Sequence, residues 1–94
     1  MILSFADQAT HDVYHGLNTR AARKIPTQLW DRVRDKLDML NASQSIEDLR
    51  TPPSNRLENG ERQGFYSIRV NDQYRIVFRF ETGQCSAVQC TDYH

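Results

Sequence analysis

The chain predicts an α+β fold: two N-terminal helices packed on one face of a small, mainly antiparallel sheet. Three observations carry that expectation. Leu29, Trp30, Val33, Leu37 and Leu40 recur at helical spacing in the first half. From Gly64 onward apolar and polar residues alternate with a period of two, as in half-covered strands. Between these halves stands Thr51-Pro52-Pro53-Ser54, which suits neither a helix interior nor a central strand. Ninety-four residues make one two-layer core and leave no room for a second, so residues 1–94 form a single domain.

Met1 to Phe5 is a short apolar start suited to pairing at a sheet edge. Ala6 to Gly16 reads as a helix of two or three turns, with Asp7 as N-cap and Gly16 as C-cap. Val13, Tyr14 and Leu17 would form its buried stripe. His11 and His15, at i and i+4, make half a metal site. No carboxylate–histidine or cysteine set completes it, so exposed helix histidines are expected and no metal. Asn18 to Lys24 is a basic link, or an extension of either helix. Pro26 opens the second helix, which runs to about Asn41, with Asp31 and Arg34 as an i, i+3 ion pair. Ser43 or Ser45 caps a short helical turn at Ile46 to Leu49. After the prolines, Asn55 to Glu58 reads as a first strand and Asn59-Gly60 as a turn.

The next strand places Tyr66, Ile68 and Val70 on one face and Phe65, Ser67 and Arg69 on the other. The third shares Tyr74, Ile76, Phe78 and Phe80 on one face, opposite Arg75, Val77 and Arg79. Asn71-Asp72 and Thr82-Gly83 supply the hairpin turns. The open face then carries Arg69, Arg75 and Arg79 and no carboxylate, an arrangement suited to phosphate. Cys85 and Cys90 are five apart on the last strand, which predicts opposite faces roughly 16 Å apart and no disulfide.

Formal net charge is zero, so bulk electrostatics does not announce a nucleic-acid binder. Ten of the twelve cations are arginine, however, and every cation on the predicted sheet is one. No apolar run approaches membrane-spanning length and no signal peptide is visible. A cytoplasmic protein without membrane contact is expected, and two reduced thiols fit that compartment.

Several stretches resemble the HigB toxins of bacterial toxin–antitoxin systems, within the RelE/ParE superfamily. They are Ile2…Ser4-Phe5, Pro52 to Glu58, Gly64-Phe65-Tyr66-Ser67-Ile68-Arg69-Val70 running on to Tyr74-Arg75-Ile76, and the terminal Asp92-Tyr93-His94. The resemblance implies a RelE-like fold and a ribosome-dependent endoribonuclease that cuts mRNA in the ribosomal A site. It implies a HigA-type helix-turn-helix antitoxin as partner, with operator DNA reached only through that antitoxin. Arg75 matches the arginine that holds the scissile phosphate, and Asp92, Tyr93 and His94 match the C-terminal catalytic cluster. Arg56 falls where some members carry a histidine. Asn59 falls where some carry a catalytic lysine; it bears no charge and cannot be a base. Either Arg56 or Arg62 takes over charge stabilisation, or this subgroup cuts weakly or differently.

Metal-free RNA cleavage needs a group to orient or deprotonate the 2′-OH, cations for the transition state, and a proton for the 5′-oxygen. His94 is the natural proton-transfer residue, and Asp92 would orient it. Arg75 with Arg56, Arg62, Arg69 or Arg79 would clamp phosphate, and Tyr93 would stack on a base or donate to phosphate. No cofactor is expected. The alternative from another class is a ParE-like toxin that inhibits DNA gyrase by binding, which needs no proton-transfer residue at its end. An adaptor whose arginine face binds an acidic protein segment is a third reading.

Overall fold

The computed structural model describes residues 1–92. Among them stand helix α1 (Gln8–Tyr14), helix α2 (Trp30–Ala42) and strands β1 (Glu58–Asn59), β2 (Phe65–Arg69), β3 (Tyr74–Glu81) and β4 (Gln84–Asp92). The strands form one antiparallel sheet in the order β1-β2-β3-β4, a simple meander. The expected pair of N-terminal helices is corrected in one respect, because α2 is a mid-chain element.

Asp7 caps α1 by accepting from the Thr10 N–H at 2.9 Å. Gly16 follows the C-cap with φ +73, the left-handed conformation that glycine adopts without strain. That turn takes Leu17 off the helical track. Leu17 is therefore exposed, contrary to the expected stripe, while Val13 is fully buried. A single 3-10 turn, Thr27–Leu29, leads into α2, whose Val33, Leu37 and Leu40 point into the core. Ser45 opens the expected short helical turn, Ile46–Arg50, and the Asp48 carboxylate accepts from the Gln44 and Ser45 N–H groups.

The connector departs from expectation. Asn55 does not begin a strand; it closes a 3-10 turn, Pro53–Asn55, and is fully buried. Its amide donates to the Leu49 and Thr51 carbonyls, and Lys36 donates to its oxygen. A buried side-chain amide needs such partners, and here they pin the proline segment against α2. Strand β1 shrinks to two residues as a result. Asn59 lies inside β1, and the turn covers residues 60–64.

In the sheet, Tyr66 pairs with Phe78 and Ile68 with Ile76. Ile68, Val70, Ile76 and Phe78 are buried together with Val13, Val33, Leu37 and Leu40, so the helices cover this face as the alternation predicts. Thr82 and Gly83 both have positive φ, +47 and +77, which matches the twist of a two-residue hairpin. Ile2 and Phe5 bridge in parallel to Cys85 and Val88, seating the N-terminal segment at the β4 edge.

Strand β4 breaks its own alternation. Arg79 pairs with Ser86 and Val77 with Gln89, so Ala87 and Val88 together oppose Phe78. This is a β-bulge, and Ala87 takes φ +51 within it. The extra residue restores Val88 and Cys90 to the core face that Cys85 already occupies. Cys85 and Cys90 are both buried, not on opposite faces, and both are free thiols.

Candidate functional site

The uncovered sheet face is built in rows by strand register. Phe65, Arg79 and Ser86 form one row; Glu58, Ser67, Val77 and Gln89 the next; Arg69, Arg75 and Thr91 the third. A cleft of about 390 Å³ opens over the middle of this face. The 60–64 turn and Ala6 form its walls, and Phe65, Ser67, Val77 and Gln89 its floor. Arg62 leans over Phe65 with its guanidinium carbon 4.3 Å from the ring centroid. That geometry is a cation–π contact at the cleft rim.

Arg75 is only 8% exposed, an unusual position for arginine. Its Nε donates to Ser67 Oγ at 2.9 Å, and its Nη2 donates to the Ser67 carbonyl at 3.1 Å and to the Arg56 carbonyl at 2.6 Å. Glu58 stands 3.6 Å from Nη2. Arg56 adopts the left-handed conformation, φ +45, directly after the Pro53–Asn55 turn. Its carbonyl thereby meets Arg75, while its side chain stays exposed. The planar fork of Arg75 is thus fixed from two sides by backbone and hydroxyl oxygens. Ser67 and Glu58 were not singled out from the sequence. The signal was present in the hairpin register, which sets Ser67 diagonally across from Arg75.

The expectation of a face without carboxylates is overturned. Arg69 pairs with Asp72, Arg75 with Glu58, and Arg79 with Glu81 at 2.8 Å. Asp72 lies in a turn and Glu58 on the short β1, outside β2 and β3. Glu81 shares the parity of Arg79 at the end of β3. Balanced pairs of this kind explain how an arginine-rich face coexists with zero net charge.

Asp92 pairs with Tyr74, one step from the Arg75–Thr91 pair. Alternation therefore assigns Asp92 to the opposite face from Arg75, at the exposed end of β4, where it accepts from Gln73 Nε2 at 2.9 Å. Arg62 lines the cleft, whereas Arg56, Arg69 and Arg75 line a separate hollow of about 300 Å³ with Glu58, Asn71 and Asp72, and Arg79 pairs with Phe65 in the first row. Tyr93 and His94 lie outside the described residues. Burial pushes the Cys90 thiol up to about 12, with the Asp7 charge adding to the effect, and burial also raises Cys85. Neither cysteine is a nucleophile at neutral pH. No group of three or more His, Cys, Asp or Glu among the described residues is arranged to hold a metal ion. No helix among them is long and apolar enough to cross a membrane.

Comparison with known proteins adds a family to this geometry. Residues 3–94 match the model of a RelE-like toxin of type II toxin–antitoxin system HigB. Toxin HigB-1 of Vibrio cholerae is 39% identical over 85 residues, 88% of this chain and 87% of that protein. Endoribonuclease HigB of Proteus vulgaris is 32% identical over 71 residues, 74% of this chain and 77% of that one. Among solved structures, the YoeB–YefM complex from Staphylococcus aureus superposes with TM-score 0.58 at 14% identity. It covers 100% of this chain and 95% of that one, a likeness of fold alone.

Proposed function

Because the chain belongs to the HigB-like family of type II toxins, we propose that it is a metal-independent endoribonuclease that cuts mRNA in the ribosomal A site. The observation that carries this reading is Arg75, an arginine only 8% exposed, held by Ser67 and Arg56 and lining a hollow of the open face with Arg69 and Asn71. A donor fork fixed in advance stabilises charge that develops on a phosphate without first having to reorganise. In this reading Arg75 holds the scissile phosphate, and Arg62, Arg69 and Arg79 steer the flanking backbone. The exposed Arg56 side chain adds charge where the family lysine is replaced by Asn59. The 2′-hydroxyl gives up its proton to solvent water as its oxygen attacks the adjacent phosphorus, and the bond to the 5′-oxygen breaks. His94, oriented by Asp92, supplies the proton to that leaving oxygen, and Tyr93 stacks on a base. The products are a 2′,3′-cyclic phosphate and a 5′-OH end.

An antitoxin of the HigA type with a helix-turn-helix would hold the toxin inactive and carry it to operator DNA. Zero net charge leaves little general affinity for free RNA. Cleavage is therefore expected only when the ribosome delivers the message, in the cytoplasm. The deciding experiment is primer extension on mRNA in a ribosome-programmed reaction. Intact protein should give discrete cuts with ribosomes and none on naked mRNA. Deleting His94 should lower the cleavage rate by about 10²–10⁴-fold. A folded His94-deleted protein that arrests growth as strongly as the intact chain would overturn the nuclease reading and direct attention to gyrase.

A further inference from the structure

Helix α1 presents His11 and, at its C-cap, His15, one helical turn apart. Their side chains share one face of the helix. The two imidazole rings lie 4.2 Å apart between centroids at an interplanar angle of 31°. Phe5 meets both edge-on, at 5.6 Å and 5.9 Å, and so supports the pair from below. His11 keeps 42% of its side chain exposed, and His15 is exposed as well.

Their hydrogen bonds fix where the protons are. His15 Nδ1 lies 2.7 Å from the His11 carbonyl oxygen. A carbonyl only accepts, so this Nδ1 carries the hydrogen and the lone pair of the neutral ring is on Nε2. His11 Nδ1 lies 2.8 Å from Asp12 Oδ1. That carboxylate also accepts from Gln8 Nε2 and from Thr19 Oγ1, each at 2.6 Å, and so acts as an acceptor throughout. His11 Nδ1 must donate to it. Gln8 Nε2 also stands 3.3 Å from His11 Nδ1, but two donors do not bond each other, and the Gln8 amide is committed to Asp12. Both rings are thus in the same tautomer, with an Nε2 lone pair each. One Nδ1–H is held by a carboxylate and the other by a backbone carbonyl. These are the two kinds of partner that orient metal-binding imidazoles and fix their tautomer.

We propose that His11 and His15 form a bidentate surface site, through their Nε2 atoms, for a divalent transition ion that favours imidazole, of the Zn²⁺ and Cu²⁺ class. Tetrahedral zinc with bonds of about 2.0–2.1 Å needs its two nitrogens about 3.4 Å apart. The ring centroids are 4.2 Å apart, within reach of that spacing once the side-chain torsions adjust on binding. No third His, Cys, Asp or Glu among the described residues completes a set with them. The protein therefore supplies two ligands, and water fills the remaining positions. Such an ion closes the last turn of α1 and stabilises the native state by its binding. The site is separate from the arginine face and does not depend on the nuclease reading.

The test uses Zn²⁺ alone, titrated into the chelator-treated protein. Calorimetry gives the stoichiometry, and long-range ¹H–¹⁵N NMR follows the imidazole nitrogens. The intact chain should bind one Zn²⁺, with the Nε2 resonances of His11 and His15 shifting together. The free protein should show the Nδ1–H tautomer at both rings. His15→Gln and His11→Gln should each weaken binding by about tenfold or more and abolish the rise in Tm with Zn²⁺. His94→Gln, removing the chain's third histidine, should leave both readouts intact. Nε2–H tautomers in the free protein would overturn the proposal. So would the absence of saturable binding, or a Zn²⁺-induced Tm rise in His15→Gln as large as in the intact chain.

Discussion

The two faces of the sheet are made by the same three strands and held by opposite means. On the helix side, Ile68, Ile76, Phe78 and Val88 are fully buried and interact only through apolar contact. On the open side, Ser67 and Arg75 are also nearly buried, yet Arg75 is held there by hydrogen bonds to Ser67 and Arg56. Burial on the first face follows from hydrophobicity and is tolerant of detail. Burial on the second depends on each partner being in place, because a desolvated guanidinium without acceptors is costly. The difference bears on the proposed function: a face that keeps a buried charge in fixed geometry is suited to recognise another charge.

The largest test breaks the apolar face. Phe78→Ala removes a fully buried ring at the centre of the core and should cost about 3–5 kcal/mol of stability. Urea unfolding would show the midpoint falling with the slope unchanged. A loss under about 1 kcal/mol would mean that the helices do not close on β3 as described. Arg75→Ala should cost nearly as much, but in a different currency. The cleavage barrier should rise by about 3–4 kcal/mol, relieving growth arrest, while loss of the charged hydrogen bonds lowers stability by about 1.5–3 kcal/mol. Arg75→Lys keeps the charge without the fork, and should fold better than the alanine variant while still cutting poorly. If Arg75→Ala remains folded and equally toxic in a growth assay, the arginine is purely structural.

A smaller change separates positioning from contact. Ser67→Ala removes the hydroxyl that accepts from Arg75 Nε but leaves the Ser67 carbonyl bond. Stability should fall by about 1 kcal/mol. In the ribosome-programmed reaction kcat should drop while KM is retained, because the guanidinium is still present but less well aimed. A change in KM alone would assign Ser67 to binding.

Much of this was legible from residues. The helical spacing of Val33, Leu37 and Leu40 and the alternation from Tyr66 to Phe80 gave the two layers and the correct core face. The family resemblance points to Arg75 as the proposed phosphate-holding residue, but nothing in the residues gives its mode of fixation. Periodicity assigns a face to a side chain but says nothing of a carbonyl turned by a left-handed residue such as Arg56. The carboxylates were missed for a related reason: Asp72 and Glu58 reach the face from a turn and a neighbouring strand. Leu17 and Asn55 depart from the expected pattern because Gly16 and the Pro52-Pro53 pair redirect the chain. A core Val88 requires either a bulge or a strand end to re-aim the last residues, and the sequence does not choose between them, since the left-handed position of the bulge is usually marked by glycine and holds Ala87 instead.

That residue gives the smallest and most discriminating prediction. Ala87 sits at φ +51, a conformation that costs an L-residue about 1–2 kcal/mol relative to the right-handed one. Glycine adopts it freely but loses more chain entropy on folding, by about 0.5–1 kcal/mol. The balance favours Ala87→Gly by about 0.5 kcal/mol, read as a higher urea midpoint. The Ala87 N–H bond to Ser4 Oγ, at 3.0 Å, survives the change, so the register of the N-terminal segment should persist. Ala87→Val should go the other way by a larger amount, since a β-branched residue tolerates positive φ poorly. Alkylation reports on the same bulge independently. With the extra residue in place Cys90 is buried and its thiol raised to about 12, so iodoacetamide at pH 8 should modify it only as the protein unfolds. Rapid native-state labelling of Cys90, together with a destabilised glycine variant, would put that strand end on the open face and remove the distinction between the two faces of β4.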